Sequence, residues 1–252
     1  MTKKQLFNIL ATVFALVINY LANALPINGI DTGEISDNIP SLFTPAGYVF
    51  SIWGIIYLGL IFFTVYQALP AQKNNPRFEK IGYWYVLSGI LNGVWIFLWH
   101  YGQMVFSVLV MLGILLSLIM VYTRGGIGKT KPKGIERWAF DVPFGIYLGW
   151  ISVATIANIA ALGVVTGWGG WGLSPQTWTI IVMLVAMLLS IAMIVRRKEI
   201  AYPLVIVWAF IGINVAHMDV PIIAWVAQIS AGFILGFLVL FFIITSRKRS
   251  AI

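Results

Sequence analysis

Residues 43–57 read FTPAGYVFSIWGIIY. A polar, acidic stretch ends at Pro45, and an apolar run then continues without a charged residue to position 69. Trp53 and Tyr57 are four residues apart, which places them on one face of a helix. A loop that enters a membrane helix through proline, with aromatic residues just inside, is typical of an interfacial anchor. It is also compatible with a lid over a pocket, and the stretch alone favours the anchor.

The rest of the chain is as apolar as this stretch. Of its 252 residues, 60% are hydrophobic and 10% are charged, and the mean hydropathy is +0.93. Soluble domains carry about 25% charged residues. We therefore predict an all-α polytopic membrane protein with about eight transmembrane helices. A membrane barrel would instead show alternating segments of about ten residues. The predicted spans are about 5–25, 46–69, 81–100, 103–123, 139–164, 177–195, 200–217 and 221–245.

The charges in the connections follow a consistent pattern. The first connection contains Asp31, Glu34 and Asp37 without a base, and all 16 bases lie on one side if the eight segments span. Because basic loops stay in the cytoplasm, we predict that both termini are cytoplasmic and the acidic loop is outside. The net charge of +8 then reflects topology, and we expect no nucleic-acid partner. The bases are Lys3, Lys4, Lys73, Arg77, Lys80, Arg124, Lys129, Lys131, Lys133, Arg137, Arg196, Arg197, Lys198, Arg247, Lys248 and Arg249.

Two features bear on how the chain is divided. Lys3-Lys4, the following apolar run and Ala22-Asn23-Ala24 resemble a signal peptide, but the run is long enough to span and we expect a retained helix. The Gly- and Trp-rich turn at 166–172 is the best internal boundary. We predict a five-helix region over residues 1–165 and a three-helix extension over residues 166–252.

Aromatic and amide side chains fall at similar depths in different segments. At about 1.5 Å per residue, six of them lie in the predicted outer half of the membrane. They could line an aromatic cavity for a flat apolar ligand with a polar edge. The alternative is tight packing, with amide hydrogen bonds among Asn19, Asn92 and Asn158. The residues alone leave both open. The six side chains are Trp53, Tyr57, Trp95, Trp99, Trp150 and Asn158.

Three motifs resemble the tryptophan-rich sensory protein, or translocator protein, family (TspO/MBR). Its second-helix pattern P-P-x-W-x-F-x-x-x-W-x-x-L-Y aligns without gaps at Pro45, Trp53 and Tyr57. Its third-helix N-x-x-W matches residues 92–95. Its fifth-helix pattern Y-x-x-W-x-x-x-A-T-x-x-N matches residues 147–158 at every fixed position. The order and spacing of the helices also agree over about residues 5–165.

The resemblance implies a five-helix bundle that is capped by the first loop and binds porphyrins, haem-related tetrapyrroles or other aromatic ligands. Gly47 stands where the family has a lid tryptophan, and we expect neighbouring Tyr48 to substitute for it. No sterol motif follows Asn158. The predicted lid residues are Pro45 and Tyr48. The predicted ligand-binding residues are Trp53, Tyr57, Asn92, Trp95, Trp99, Tyr147, Trp150, Ala154 and Asn158.

We therefore expect an integral membrane binding protein for a hydrophobic aromatic ligand, a tetrapyrrole, that acts as a sensor, carrier or scavenger. The alternatives are a small-solute transporter that uses all eight helices and, third, an enzyme that acts on protoporphyrin. We expect no catalytic residue, metal site or required cofactor, with porphyrin or haem only as ligand. The expected partners are the lipid bilayer and the hydrophobic ligand, and a homo-oligomer is left open. We also expect an ion pair between Asp141 and Arg137, and water around His100, His217 and Asp219.

Overall fold

The computed structural model describes residues 1–25, 27–132 and 134–250, with side chains up to residue 246. Lys133 and the side chains of Arg247, Lys248 and Arg249, which we assign to basic connections, lie outside the described part. The described residues form ten α-helices and no strand, which confirms the predicted all-α class. The helices are α1 Lys3–Ala24, α2 Thr32–Asp37, α3 Ile52–Ala68, α4 Pro76–Ile81, α5 Trp84–His100, α6 Met104–Arg124, α7 Val142–Val165, α8 Pro175–Arg197, α9 Ala201–Ala216 and α10 Pro221–Ser250.

Eight of these helices are long, one for each apolar segment of the sequence. Six of them are long and apolar enough to cross a membrane. The other two, α5 and α9, have 17 and 16 residues. At 1.5 Å per residue they span about 24 to 26 Å, slightly less than the hydrocarbon core of a typical bilayer.

Local sequence determines where several helices begin. Thr2 and Gln5 form a reciprocal capping box at the start of α1. Ser174 accepts a hydrogen bond from the backbone N–H of Thr177, and Pro175 occupies the first position of α8. Gly82 has φ of +64°, a conformation that interrupts the helix and separates α4 from α5.

Five helices close into a ring. α1 packs against α3 and α5, α3 packs against α7, α7 against α6, and α6 against α5. Small residues permit the close approaches, since the backbone of Ala11 lies 3.1 Å from where Gly89 would carry a Cβ. Inside the ring, Thr12 Oγ1 lies 2.6 Å from Thr64 Oγ1 and 2.6 Å from Tyr85 Oη, so hydroxyl groups join three helices.

The remaining long helices pack on one side of the ring. α9 lies against α7, and α8 and α10 pack against α9 and each other. The contact between α7 and α9 is close because a Cβ on Gly149 would lie 3.0 Å from Val205 Cβ and 3.2 Å from the carbonyl oxygen of Tyr202. The three-helix extension therefore joins the ring mainly through α9.

The ring has two chemically different ends. We call one the acidic-loop end, because residues 27–51 cover it. We call the other the basic end, where Lys4 Nζ donates to the carbonyl of Glu79 and Arg197 Nη1 donates to the carbonyl of Ile127.

An ion-pair cluster lies at the basic end. Arg77 of α4 pairs with Glu136 and Asp141, and its Nε donates to the carbonyl of Gly125 at 2.7 Å. Asp141 is the last residue of a π-helical turn, Arg137–Asp141, that leads into α7. Glu136 directly precedes this turn. The predicted pair between Asp141 and Arg137 is therefore wrong. Arg137 points to the surface, and Arg77 reaches Asp141 from a different helix.

Candidate ligand-binding site

A small cavity lies inside the ring at the acidic-loop end. It has a volume of about 50 Å³. Its walls are mainly aromatic and aliphatic, and none of its lining residues is charged. α3, α5 and α7 supply most of the walls, and residues 32–50 cover the cavity. The lining residues are Thr32, Ser36, Ile39, Thr44, Pro45, Phe50, Trp53, Trp95, Trp99, Trp150, Val153, Ala154, Ala157, Asn158 and Ala161.

Asn158 has an amide whose orientation is determined by its neighbours. Its Oδ1 accepts hydrogen bonds from Trp95 Nε1 at 3.1 Å and from Ser107 Oγ at 2.8 Å. An indole nitrogen can only donate, so the oxygen of the amide must face these groups. The Nδ2 group is then directed elsewhere, and it is buried without a hydrogen-bond partner in the described part of the chain. Asn158 thus carries an unused donor at the cavity.

Trp150 carries a second unused donor. The side chain is 2% exposed, and its Nε1 has no hydrogen-bond partner among the residues that the structure describes. The edges of Phe50 and Trp53 pack against its ring at centroid distances of 5.7 and 6.2 Å. A buried N–H without an acceptor costs about 1–3 kcal/mol. Two such donors in one uncharged aromatic cavity would satisfy a ligand that offers acceptor atoms.

The loop over the cavity is attached to the end of α5. His100 Nδ1 donates to the carbonyl of Ile27 at 2.8 Å, and its Nε2 lies 2.9 Å from Thr32 Oγ1. Asn28 donates to the carbonyl of His100, and Trp99 Nε1 donates to the carbonyl of Thr32 at 3.3 Å. The expectation that His100 lies in water is wrong, since the side chain is 3% exposed and anchors the loop.

Helix α9 holds the point where the loop enters the ring. Trp208 Nε1 donates to the carbonyl of Val49 at 3.0 Å, and the backbone N–H of Ala46 donates to the carbonyl of Gly212 at 3.1 Å. His217 Nε2 lies 3.0 Å from the carbonyl of Thr44. The extension therefore contacts the 3₁₀ turn Gly47–Ser51, which begins the second span.

The structure brings most of the predicted site residues to the cavity and leaves four of them outside its lining. Tyr57 stacks on Trp53 at 5.5 Å, and Tyr147 packs its edge on the same ring at 6.1 Å. Asn92 accepts a hydrogen bond of 2.6 Å from Asn19 Nδ2, as the packing alternative predicts for that pair. Tyr48 packs against Trp208 and is 45% exposed. The predicted residues in the lining are Pro45, Trp53, Trp95, Trp99, Trp150, Ala154 and Asn158.

Sequence reasoning missed two groups of lining residues. Val153, Ala157 and Ala161 follow Trp150 at spacings of three and four, so helical periodicity along α7 could have identified them. Phe50 and residues 32–44 carry no such signal, because their positions depend on the path of the loop. Ser107, which fixes the amide of Asn158 from α6, also lacked a sequence signal.

A comparison with known families finds one match. The family model described as TSPO-like protein matches residues 5–240, which include the ring and most of the extension. No curated protein and no solved structure matches the chain. The match covers far more than half of the 252 residues and runs through the predicted boundary at residue 165. The chain is thus a multi-pass membrane protein that belongs to the TSPO-like protein family.

Proposed function

We propose that this protein binds a hydrophobic aromatic ligand with hydrogen-bond acceptors on one edge, of the tetrapyrrole class, within the five-helix ring. It would act as a sensor, carrier or scavenger of that ligand. Support comes from the uncharged aromatic cavity and from the family to which the chain belongs. No required cofactor is part of this proposal, and porphyrin or haem enters only as the ligand.

The observation that carries the proposal is the pair of unused donors, Trp150 Nε1 and Asn158 Nδ2. Buried polar groups in native proteins are almost always paired, so two orphan donors in one cavity need an explanation. Packing pairs the amides of Asn19 and Asn92, whereas these two donors belong to residues that line one cavity. A ligand carbonyl or carboxylate oxygen would accept from both.

The size of the cavity adds a requirement. Ligand sites usually measure about 300–1,000 Å³, whereas this cavity measures about 50 Å³. A tetrapyrrole can enter only if the covering loop moves away from the ring. The hydrogen bonds of His100 and Trp99 to residues 27–32 would break during that movement. Helix α9 would keep the loop attached at Thr44, Ala46 and Val49.

Titration of the purified protein with protoporphyrin, followed by tryptophan fluorescence and the porphyrin Soret band, tests the proposal. Trp150→Phe keeps the aromatic wall and removes one donor. We expect it to weaken binding about tenfold, the value of roughly one hydrogen bond. Trp95→Ala removes part of the wall and should weaken binding further. The matched control is Trp225→Phe on α10, since Trp225 is 61% exposed and outside the cavity; it should change the dissociation constant less than about twofold.

Saturable binding that is unchanged in both Trp150→Phe and Trp95→Ala would exclude this cavity as the site. The same preparations distinguish the other functions. Solute flux into liposomes along a gradient, without porphyrin binding, would favour a transporter. Light-dependent loss of the Soret band that requires the protein would favour an enzyme acting on protoporphyrin.

We also propose that the acidic-loop end faces the outside and that both termini lie in the cytoplasm. The support is the distribution of charge. Asp31, Glu34 and Asp37 are exposed at the acidic-loop end, whereas the described bases occupy the N-terminus and the connections at the basic end. Basic connections remain in the cytoplasm during insertion.

A further inference from the structure

A second and much larger groove lies outside the ring. It measures about 1060 Å³ and runs between α3, α7, α9 and α10. One end is near Ser51 and Trp208, and the other is at the basic end near Lys131 and Lys198. The groove thus forms where the three-helix extension meets the ring. None of the residues that line the ligand cavity also lines this groove.

The walls of the groove are apolar and open toward the membrane. Ile55 of α3 and Leu204 of α9 line it and are 58% and 43% exposed. Ile146 of α7 and Phe242 of α10 complete the sides. In a chain that spans the bilayer, side chains exposed at this depth contact lipid tails. A bilayer provides acyl chains as the natural occupant of such a groove.

The mouth at the basic end is positively charged. Four bases line it, namely Lys131, Arg137, Arg197 and Lys198. Lys131, Arg137 and Lys198 are exposed, and none of the three forms an ion pair with a side chain that the structure describes. Arg197 is held in place by the carbonyl of Ile127 and by the ring of Tyr122. These groups present donors to the level of the lipid headgroups.

The two acids beside the groove are already occupied. Asp141 pairs with Arg77. One carboxylate oxygen of Glu199 accepts a hydrogen bond of 3.0 Å from Tyr122 Oη. The other accepts hydrogen bonds from the backbone N–H groups of Ile200 and Ala201 at the start of α9. Neither carboxylate forms an ion pair with the exposed bases at the mouth among the described side chains. Four bases and two acids line the groove, so its net charge is positive and favours an anion.

From these observations we infer that the groove binds one anionic phospholipid, with its phosphate at the basic mouth and an acyl chain along α3, α7 and α9. Basic pockets between membrane helices are known to hold anionic headgroups. The occupant is a lipid rather than free phosphate, because the apolar walls continue along the membrane from the charged mouth. Such a lipid would fill the groove between the three-helix extension and the five-helix ring.

Native mass spectrometry of the full-length protein in detergent tests this inference. Phosphatidylglycerol and phosphatidylcholine with identical acyl chains are titrated separately. We expect the first phosphatidylglycerol to bind about tenfold more tightly than the first phosphatidylcholine. The double variant Arg137→Gln/Lys198→Gln should lose most of this preference. Leu204→Trp, which fills the groove, should weaken the binding of both lipids.

The matched control is Lys129→Gln/Arg196→Gln. It removes the same charge from exposed bases in the same connections, outside the groove, and should retain the tenfold preference. Equal binding of the two lipids by the unmodified protein would overturn the inference, as would an equal loss of preference in both double variants. Dimers that carry no lipid would overturn it too, because a second copy would then cover the groove. If the Gln pair fails to fold, Arg137→Lys/Lys198→Arg should fold and keep the preference.

Discussion

At the residue scale, Trp95 and Trp150 form an informative pair. Both are buried and line the same cavity, with exposed fractions of 7% and 2%. The Nε1 group of Trp95 donates to Asn158, whereas that of Trp150 has no partner within residues 1–25, 27–132 and 134–246. Replacement by phenylalanine removes a similar area of ring in each case. Trp95→Phe also removes a hydrogen bond that is formed, whereas Trp150→Phe removes a donor that is unsatisfied.

We therefore predict that Trp95→Phe destabilises the ligand-free protein more than Trp150→Phe does, by about 1–3 kcal/mol. The free energies of unfolding can be measured by reversible SDS unfolding in mixed micelles. For ligand binding, both variants should weaken affinity, because Trp150 loses its own donor and Trp95→Phe releases the amide of Asn158. Equal losses of stability in the two variants would mean that Trp150 Nε1 has a partner in the ligand-free protein.

At the scale of the element, the contact between α9 and the loop depends on one glycine. A Cβ on Gly212 would lie 2.1 Å from Val49 Cγ2 and 3.0 Å from Pro45 Cβ. We predict that Gly212→Ala costs about 1–3 kcal/mol through overpacking. It should also increase hydrogen–deuterium exchange at residues 46–51 by separating them from α9. Gly232→Ala on α10 is the control, because no described atom lies within 4 Å of its added Cβ. Unchanged exchange in Gly212→Ala would contradict the proposed anchoring role of α9.

At the basic end, the ion-pair cluster of Arg77 joins α4 to the turn before α7. Arg77→Met would leave Glu136 and Asp141 without their cation, with side-chain exposures of 6% and 11%. The loss of one partner from a buried pair costs about 3–5 kcal/mol, and thermal unfolding in detergent can measure it. Addition of Glu136→Gln and Asp141→Asn should recover part of the loss. Arg124→Met is the control. The guanidinium of Arg124 contacts only the face of Trp84 among the described interactions, so its loss should cost less than about 1 kcal/mol.

At the scale of the whole molecule, the sequence predicts the helices well because hydropathy and length determine them. Six of the eight long helices begin and end within about three residues of the predicted bounds. The α-helix α3 begins six residues after its predicted start, because the 3₁₀ turn Gly47–Ser51 precedes it, and α10 continues further than predicted, to Ser250. Estimated depth in the membrane put Trp150 and Asn158 in the same half, and the family resemblance added Ala154; all three line the cavity. The sequence did not predict contacts that depend on the path of a loop or on which helices become neighbours. The ion pair between Arg77 and Asp141 is one such contact, and the hydrogen bond from Trp208 of α9 to Val49 is another. Each joins residues that are far apart in the chain.

The proposed orientation is a property of the whole molecule, and the sequence makes it directly testable. The chain contains no cysteine, so every introduced cysteine is the only one that a thiol reagent can label. Asp37→Cys and Asp219→Cys lie at the acidic-loop end and are exposed. We predict that a membrane-impermeant maleimide labels both in intact cells. Lys129→Cys and Arg196→Cys are exposed at the basic end and should react only after permeabilisation. Labelling of all four in intact cells would indicate leaky membranes. The reverse pattern would place the basic end outside, and the charge argument for this protein would then be wrong.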